Sequence, residues 1–274
     1  MRPASRTANL FGGRGTGMRE PQLHHDARDV EYPSMKTIGL LGGMSWASSV
    51  EYYRVINEAC SRRLGGLHSA RCLLYSFDFE EIAALQRANA WERAAARLIE
   101  AARALERAGA DLLVICTNTM HKVFDEVERS VGLPLLHIAD ATAERVRAAG
   151  LRRVGLVATR FTMEEDFYRG RLATRYNIEA VVPPAAEREE VHRIIFDELC
   201  RDVLREESRR RLQAIIQGLV DRGLRGIILG CTEIGLAIKQ EHSPVPLFDT
   251  TIIHAEAAAE YALNGYAGAA PGQG

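Results

Sequence analysis

Two short segments concentrate the side chains with which this chain could move a proton. Thr117-Asn118-Thr119-Met120-His121 and Cys231-Thr232-Glu233 each follow directly on an apolar run, DLLVIC at 111–116 and RGIILG at 225–230. A thiol, a carboxyl, an imidazole and several hydroxyls at such ends are the groups that general acid–base catalysis uses. Gly42-Gly43-Met44-Ser45-Trp46 follows TIGLLG at 37–42, and Thr159-Arg160-Phe161-Thr162 follows RVGLVA at 153–158. All four turns are dense in small polar side chains and in the backbone N–H groups that open helices, which suits a carboxylate ligand. A thiol beside a helix N-terminus has a lowered pKa, so Cys231 is expected to reach the thiolate near neutral pH. Cys60, Cys72 and Cys200 fall inside predicted helices or strands and read as small, buried and inert.

The elements that must carry these turns alternate. Short apolar runs are separated by longer amphipathic stretches, the signature of βαβ units and parallel sheets. Further strands are expected in RCLLYS at 71–76, LLHI at 135–138, IEAVV at 178–182 and PLF at 246–248. Helices are expected after Ser45, which can cap SWASSVEYYRVINEAC, from Trp91 to Gly109, and from Glu207 to Gly223.

The two sets of strands repeat. Ile38-Gly39-Leu40-Leu41 reappears as Val154-Gly155-Leu156-Val157, Leu113 to Thr117 as Ile227 to Cys231, and Pro134-Leu135-Leu136 as Pro246-Leu247-Phe248. Three matches in order predict an α/β fold of two similar domains. Each is a four-stranded, mostly parallel sheet flanked by helices, and a pseudo-twofold relates them. Residues 35–150 with 250–264 form the first domain and 151–249 the second. Residues 1–34, rich in Gly, Arg and Pro without periodicity, read as a disordered extension, and 265–274 as a flexible tail. The repeat makes Thr117 and Cys231 equivalent. Facing domains would set them on opposite sides of one bound molecule, the geometry of a two-base transfer at a stereocentre.

Composition excludes several other functions. With 35 Lys and Arg against 36 Asp and Glu, the formal charge of −1 does not favour nucleic acid or an acidic membrane. No apolar run approaches a membrane span. Five scattered cysteines without a CxxC pair argue against a disulfide framework or a zinc site, and the chain reads as a reduced cytoplasmic protein.

With these residues in view, the chain resembles the aspartate/glutamate racemase family of cofactor-independent amino-acid racemases. The likeness rests on IGLLGGMSW, CTNTMHK, HIADAT, GCTEI and FDTTIIHA and runs from Met35 to Leu263. Glu233 stands where glutamate racemases of the cell-wall pathway usually carry His, which points to the aspartate racemase branch. The resemblance implies two cysteines, one per domain: one takes the α-proton and the other returns it from the opposite face, with no PLP and no metal. Cys231 matches the second. Where the family has Cys-Asn-Thr this chain has Thr117-Asn118-Thr119, with Cys116 one place early. One residue along a strand reverses the side chain, so Cys116 is expected in the core and Thr117 in the catalytic position.

The same residue-by-residue match implies that Met44, Asn118, Thr119, Thr159, Thr162 and Thr232 line the substrate site. Gln86 and Arg87, in QRANAW, would reach substrate carboxylates. Arg87 reads equally well as an exposed helix charge. His121 could orient a site group or only cap or pack. Glu233 could hold the substrate ammonium, tune Cys231, or make a local backbone bond.

The expected activity is therefore racemisation of aspartate or glutamate, with the proton moving between Cys231 and the Thr117 side. The expected partner is a small amino acid, with no nucleic acid and no membrane, and a homodimer is left open. The rival readings are a maleate isomerase-like or decarboxylase-like enzyme on the same scaffold, or an amino-acid-binding protein that has lost turnover.

Overall fold

The computed structural model describes residues 35–264, so the segments 1–34 and 265–274 lie outside the described residues. Eight strands form two four-stranded sheets in which every pairing is parallel. The first comprises β1 (Ile38–Gly42), β2 (Cys72–Ser76), β3 (Leu112–Ile115) and β4 (Leu135–Leu136), in the order β2-β1-β3-β4. The second comprises β5 (Arg153–Ala158), β6 (Glu179–Val181), β7 (Ile227–Gly230) and β8 (Leu247–Asp249), in the order β6-β5-β7-β8. The same order in both sheets bears out the repeat read from sequence. Of the central strands, β1, β3 and β7 are buried along their whole length and β5 everywhere but at Arg153, as expected for parallel strands covered on both faces.

Register makes the repeat exact to the residue. Gly39 pairs with Leu113 in the first sheet and Gly155 with Ile227 in the second. Both glycines leave room for the partner side chain. A Cβ on Gly39 would lie 2.7 Å from Leu113 Cδ2, and one on Gly155 would lie 2.5 Å from Ile227 Cδ1. Four residues beyond those partners stand Thr117 and Cys231, so the two occupy equivalent strand ends.

Helices cover the sheets. The first set is α1 (Trp46–Leu64), α2 (Phe79–Arg87), α3 (Trp91–Arg107), α4 (Phe124–Glu128) and α5 (Ile138–Ala148). The rest are α6 (Arg160–Glu164), α7 (Asp166–Tyr176), α8 (Ala185–Asp197), α9 (Glu206–Asp221), α10 (Ile234–Ala237) and α11 (Thr250–Leu263). In α3 the buried residues Ala94, Ala95, Leu98, Ala101, Ala102 and Leu105 recur three and four apart, giving one apolar face against the sheet. Truncating Leu98, which is fully buried, to alanine would cost about 2–5 kcal/mol. The alanines Ala255, Ala258, Ala259 and Ala262 of α11 share a core cluster with Tyr52, Val55 and Ile56 of α1. Small side chains permit that close approach. No helix among the described residues is long and apolar enough to cross a membrane.

Two local expectations are corrected. LLHI is a strand only as far as Leu136. His137 ends it, because its Nδ1 accepts from the Ala139 N–H at 3.1 Å and caps α5. Ser45 does stand at the N-cap of α1, but its side chain does not cap that helix. Its hydroxyl points across to the second half of the chain.

Candidate active site

The loops at the carboxyl ends of β1, β3, β5 and β7 converge on one small cavity. After β1 the chain turns through Gly43, whose φ of 84° suits glycine. A Cβ there would also collide with the Phe77 backbone. The Gly43 N–H donates to Ser49 Oγ at 2.7 Å, and the hydroxyls of Ser48 and Ser49 both donate to the Ser45 carbonyl at 3.0 Å. This network fixes Met44, which lines the cavity, and Ser45 next to it in the chain.

Beyond β7, Glu233 gathers four donors. Its Oε2 accepts from Cys231 Sγ at 3.0 Å and from Thr232 Oγ1 at 2.8 Å. Its Oε1 accepts from Ser45 Oγ at 2.8 Å and from the Ser45 N–H at 3.4 Å. Four donors on two oxygens describe an acceptor-only carboxylate. Glu233 is buried and joins the two halves of the chain through residues 188 positions apart.

The expected thiolate is overturned. Burial, then the adjacent Glu233 charge, pushes the Cys231 thiol well above its usual range. The helix that follows cannot offset this, because α10 has four residues and little dipole. Cys231 therefore rests as a thiol that donates its proton towards Glu233.

On the β3 side, Thr119 Oγ1 lies 3.0 Å from Thr159 Oγ1, joining the halves again. Asn118 can be assigned an orientation. Thr250 Oγ1 donates its only proton to the Leu229 carbonyl at 2.8 Å, so it can only accept from Asn118 Nδ2 at 2.9 Å. Asn118 Oδ1 is left buried without a hydrogen-bond partner among the described residues. Gln86 Oε1 is in the same condition, its Nε2 being turned to Met120 Sδ at 3.2 Å. Two orphaned acceptors on residues that line one cavity suit an ammonium group.

That cavity has a volume of about 20 Å³, room for a single water. Of the residues singled out by sequence, Thr117, Cys231, Met44, Gln86, Asn118 and Thr119 line it, as do Thr159, Thr232 and Glu233. Arg87 and Thr162 do not. Arg87 is exposed, pairs with Glu80 and opens onto an outer cleft of about 920 Å³. Thr162 is fully buried behind Thr159, its N–H donating to Thr159 Oγ1 at 3.4 Å. Cys116 is fully buried in the α1–α11 core cluster, with Sγ 3.7 Å from the Val114 carbonyl. Cys60 and Cys72 also belong to that cluster or pack on it.

Sequence reasoning missed Phe79, Ile195, Phe196 and Cys200, which complete the lining together with Gly230 at the end of β7. Cys200 sits in a 3-10 turn, Leu199–Arg201, at the cavity and not inside a helix as expected. Phe79, Gln86, Phe196 and Cys200 line both cavity and cleft and so stand between them. Phe79 stacks on Phe196 with ring centres 6.4 Å apart, and Trp91 meets Phe161 edge-on at 5.3 Å, each pair joining the two halves. The i, i+4 spacing of His192 and Phe196 was the signal available, but it did not show which side of α8 faces the cleft. The cleft is rich in charge: Arg87, Arg160, Arg193 and Arg201 face Glu80, Glu189 and Asp197. Among the described residues no cluster of His, Cys, Asp and Glu is arranged to hold a metal.

Comparison with known proteins gives this geometry its context. Residues 41–258 match the family model for Asp/Glu/hydantoin racemases. An Asp/Glu racemase candidate from Yersinia pestis is 52% identical, with a TM-score of 0.78, over 84% of this chain and 100% of that one. An aspartate racemase homologue from Pyrococcus horikoshii is 39% identical, with a TM-score of 0.72, over 83% of this chain and 99% of that one. The broad specificity amino-acid racemase RacX of Bacillus subtilis is 21% identical, over 78% of this chain and 92% of the relative.

Proposed function

Since the chain belongs to the Asp/Glu/hydantoin racemase family and is an amino-acid racemase, we propose that it inverts the α-carbon of aspartate or glutamate without a cofactor, with Cys231 and Thr117 acting on opposite faces. The observation that carries this reading is the equivalence of Thr117 and Cys231 at matching strand ends that line one cavity.

The chemistry follows from the groups present. Substrate does not fit a cavity of about 20 Å³, so Phe79 and Phe196 part from each other as it enters. Its ammonium is received by Asn118 Oδ1 and Gln86 Oε1. Its α-carboxylate meets the hydroxyls and turn N–H groups around Thr119, Thr159 and Thr232. A side-chain carboxylate reaches towards the arginines of the cleft. Glu233 takes the thiol proton from Cys231, and the resulting thiolate removes the α-proton. The electron pair is delocalised into the α-carboxylate. The Thr117 hydroxyl then delivers a proton to the opposite face and takes one back from cleft water, while Glu233 releases the former thiol proton to that water, so that Cys231, now carrying the α-proton, is again a thiol beside a carboxylate. A threonine hydroxyl is a far weaker acid than a thiol, so this face is the slower of the two.

A second reading is broader specificity. The cavity itself is lined by Met44, Phe79, Ile195 and Phe196 and contains no cationic side chain. It could therefore admit an uncharged amino acid, as the name of the Bacillus subtilis relative suggests for that protein.

One experiment tests both. Single enantiomers of many amino acids are incubated in D2O, followed by chirality and mass analysis. Aspartate or glutamate should invert with uptake of one solvent deuteron. Inversion confined to neutral amino acids would favour the second reading. Binding without exchange would favour the sensor, and turnover of maleate or an arylmalonate alone would favour the isomerase or decarboxylase.

A further inference from the structure

Behind the Thr117 side of the cavity lie three buried histidines that the reaction does not use. His121 is four residues beyond Thr117, in the 3-10 turn Thr119–Val123. Its Nδ1 lies 2.8 Å from the Thr117 carbonyl, and its Nε2 accepts from the Ile138 N–H at 3.1 Å. A backbone N–H can only donate, so Nε2 carries no proton. The neutral ring therefore has its proton on Nδ1 and donates it to Thr117.

The opposite tautomer is fixed in His254. Its Nε2 faces the Leu136 carbonyl at 3.1 Å, an acceptor, so Nε2 is protonated. Its Nδ1 then accepts from Tyr52 at 2.9 Å. The segment between β4 and α5 is thus gripped on both sides, by His254 at Leu136 and by His121 at Ile138. The His121 ring packs against Phe124, His137 and His254, with centres 5.7, 4.6 and 5.7 Å away. No rotation is open to it without loss of a hydrogen bond.

We propose that His121 is a positioning residue: it ties the carbonyl of Thr117 to the buried β4–α5 junction and so aims the Thr117 hydroxyl at the substrate face opposite Cys231. This rests on the reading of Thr117 as the second proton-transfer group. β3 ends at Ile115, so residues 116–118 are outside the sheet ladder. The Cys116 N–H is held by the Leu41 carbonyl at 2.9 Å. At the next residue the Thr117 N–H turns back to the Ile115 carbonyl at 2.9 Å, and the His121 bond holds the Thr117 carbonyl. Cys231 has the Glu233 carboxylate to orient it. On the Thr117 side the imidazole sets only the backbone, and through it the side chain.

The test separates the two faces. Racemisation requires both. Loss of HCl from a β-chloro analogue requires only proton removal by Cys231, since the carbanion expels chloride from the neighbouring carbon and needs no second donor. Both reactions are measured in wild type, His121→Gln, His121→Asn and Thr117→Ala. Asn can donate from the Nδ1 position and keep the Thr117 bond, whereas Gln reaches the Nε2 position and keeps only the Ile138 bond.

His121→Gln should lower racemisation kcat about 100-fold, the loss expected from misplacing a reacting group by roughly 1 Å. Elimination should stay within about threefold of wild type. His121→Asn should recover at least about tenfold of the lost racemisation. A parallel fall in both reactions, no fall in His121→Gln, or no recovery in His121→Asn would overturn the positioning role. Unchanged racemisation in Thr117→Ala would instead overturn the reading of Thr117 itself.

Discussion

The thiol of Cys231 lies 3.0 Å from Glu233 Oε2, while the other oxygen of that carboxylate receives the hydroxyl of Ser45 at 2.8 Å. The proton acceptor for the thiol is therefore anchored from the opposite half of the chain. Glu233→Gln keeps size and the capacity to bind Ser45 but removes the proton acceptor. We predict that kcat falls by roughly 10²–10⁴ with little change in KM. Steady-state racemisation followed by chiral separation measures this. A variant within about threefold of wild type would show that Cys231 passes its proton elsewhere.

The cysteines next to the two strand ends are predicted to differ sharply. Cys231→Ser should lower turnover by about 10³ or more. Cys116, fully buried and donating only to the Val114 carbonyl, should tolerate serine with about 1–3 kcal/mol lost from stability and most activity kept. Activity of each variant is compared with its melting temperature. If Cys116→Ser is as inactive as Cys231→Ser while still folded, Cys116 is the second acid/base.

The proposed pair of unequal groups on the two faces predicts unequal saturated rates for the two enantiomers. The one whose α-hydrogen faces Cys231 should show a kcat higher by about tenfold; the family resemblance implies the L form. Thr117→Cys should raise the lower kcat by installing a second thiol. Initial rates and α-deuterium uptake from D2O are measured for each enantiomer in both proteins. Equal kcat values in the wild type would mean that another base serves the Thr117 side.

Buried neutral histidines predict loss of stability in acid. Burial holds His121 down to about 4 and His254 down to about 3, and it depresses His137 strongly as well. In the unfolded chain histidine titrates near 6.5. As pH falls below about 6.5 the unfolded state binds protons that the folded state does not, so stability present above that pH is lost. Each group costs up to about 1.4 kcal/mol per pH unit until its folded pKa is reached. Melting temperatures from pH 7.5 to pH 5 should fall, with a shallower slope in His254→Asn. A flat profile, or equal slopes, would contradict the linkage.

The strand ends were legible because parallel strands repeat in composition and register. Gly39 with Leu113 and Gly155 with Ile227 are the same packing solution twice, and the pattern alone aligned Thr117 with Cys231. What connects distant turns was not legible. Nothing near Ser45 in sequence announces that its hydroxyl turns from its own helix to Glu233. Nothing near Leu199 shows that a 3-10 turn brings Cys200 to the cavity. The charge state of Cys231 was misjudged for a physical reason. A helix start was visible, but the desolvation that outweighs it depends on how the whole cavity closes. Of the two readings left open for Arg87, the structure has it exposed on the outer cleft and paired with Glu80, not lining the cavity.

A thiol and an alcohol acting across one stereocentre, as proposed, would meet a constraint that no residue can alter. Mirror-image amino acids are equally stable, so the equilibrium constant is one, and the Haldane relation requires the same kcat/KM in both directions. Whatever advantage Cys231 gives one enantiomer at saturation is matched by a KM larger in the same proportion. Thr117 therefore cannot make the enzyme run one way. In the proposed mechanism it would set the concentration at which each enantiomer fills the site: the slower one would saturate early, while the faster one would stay responsive to supply.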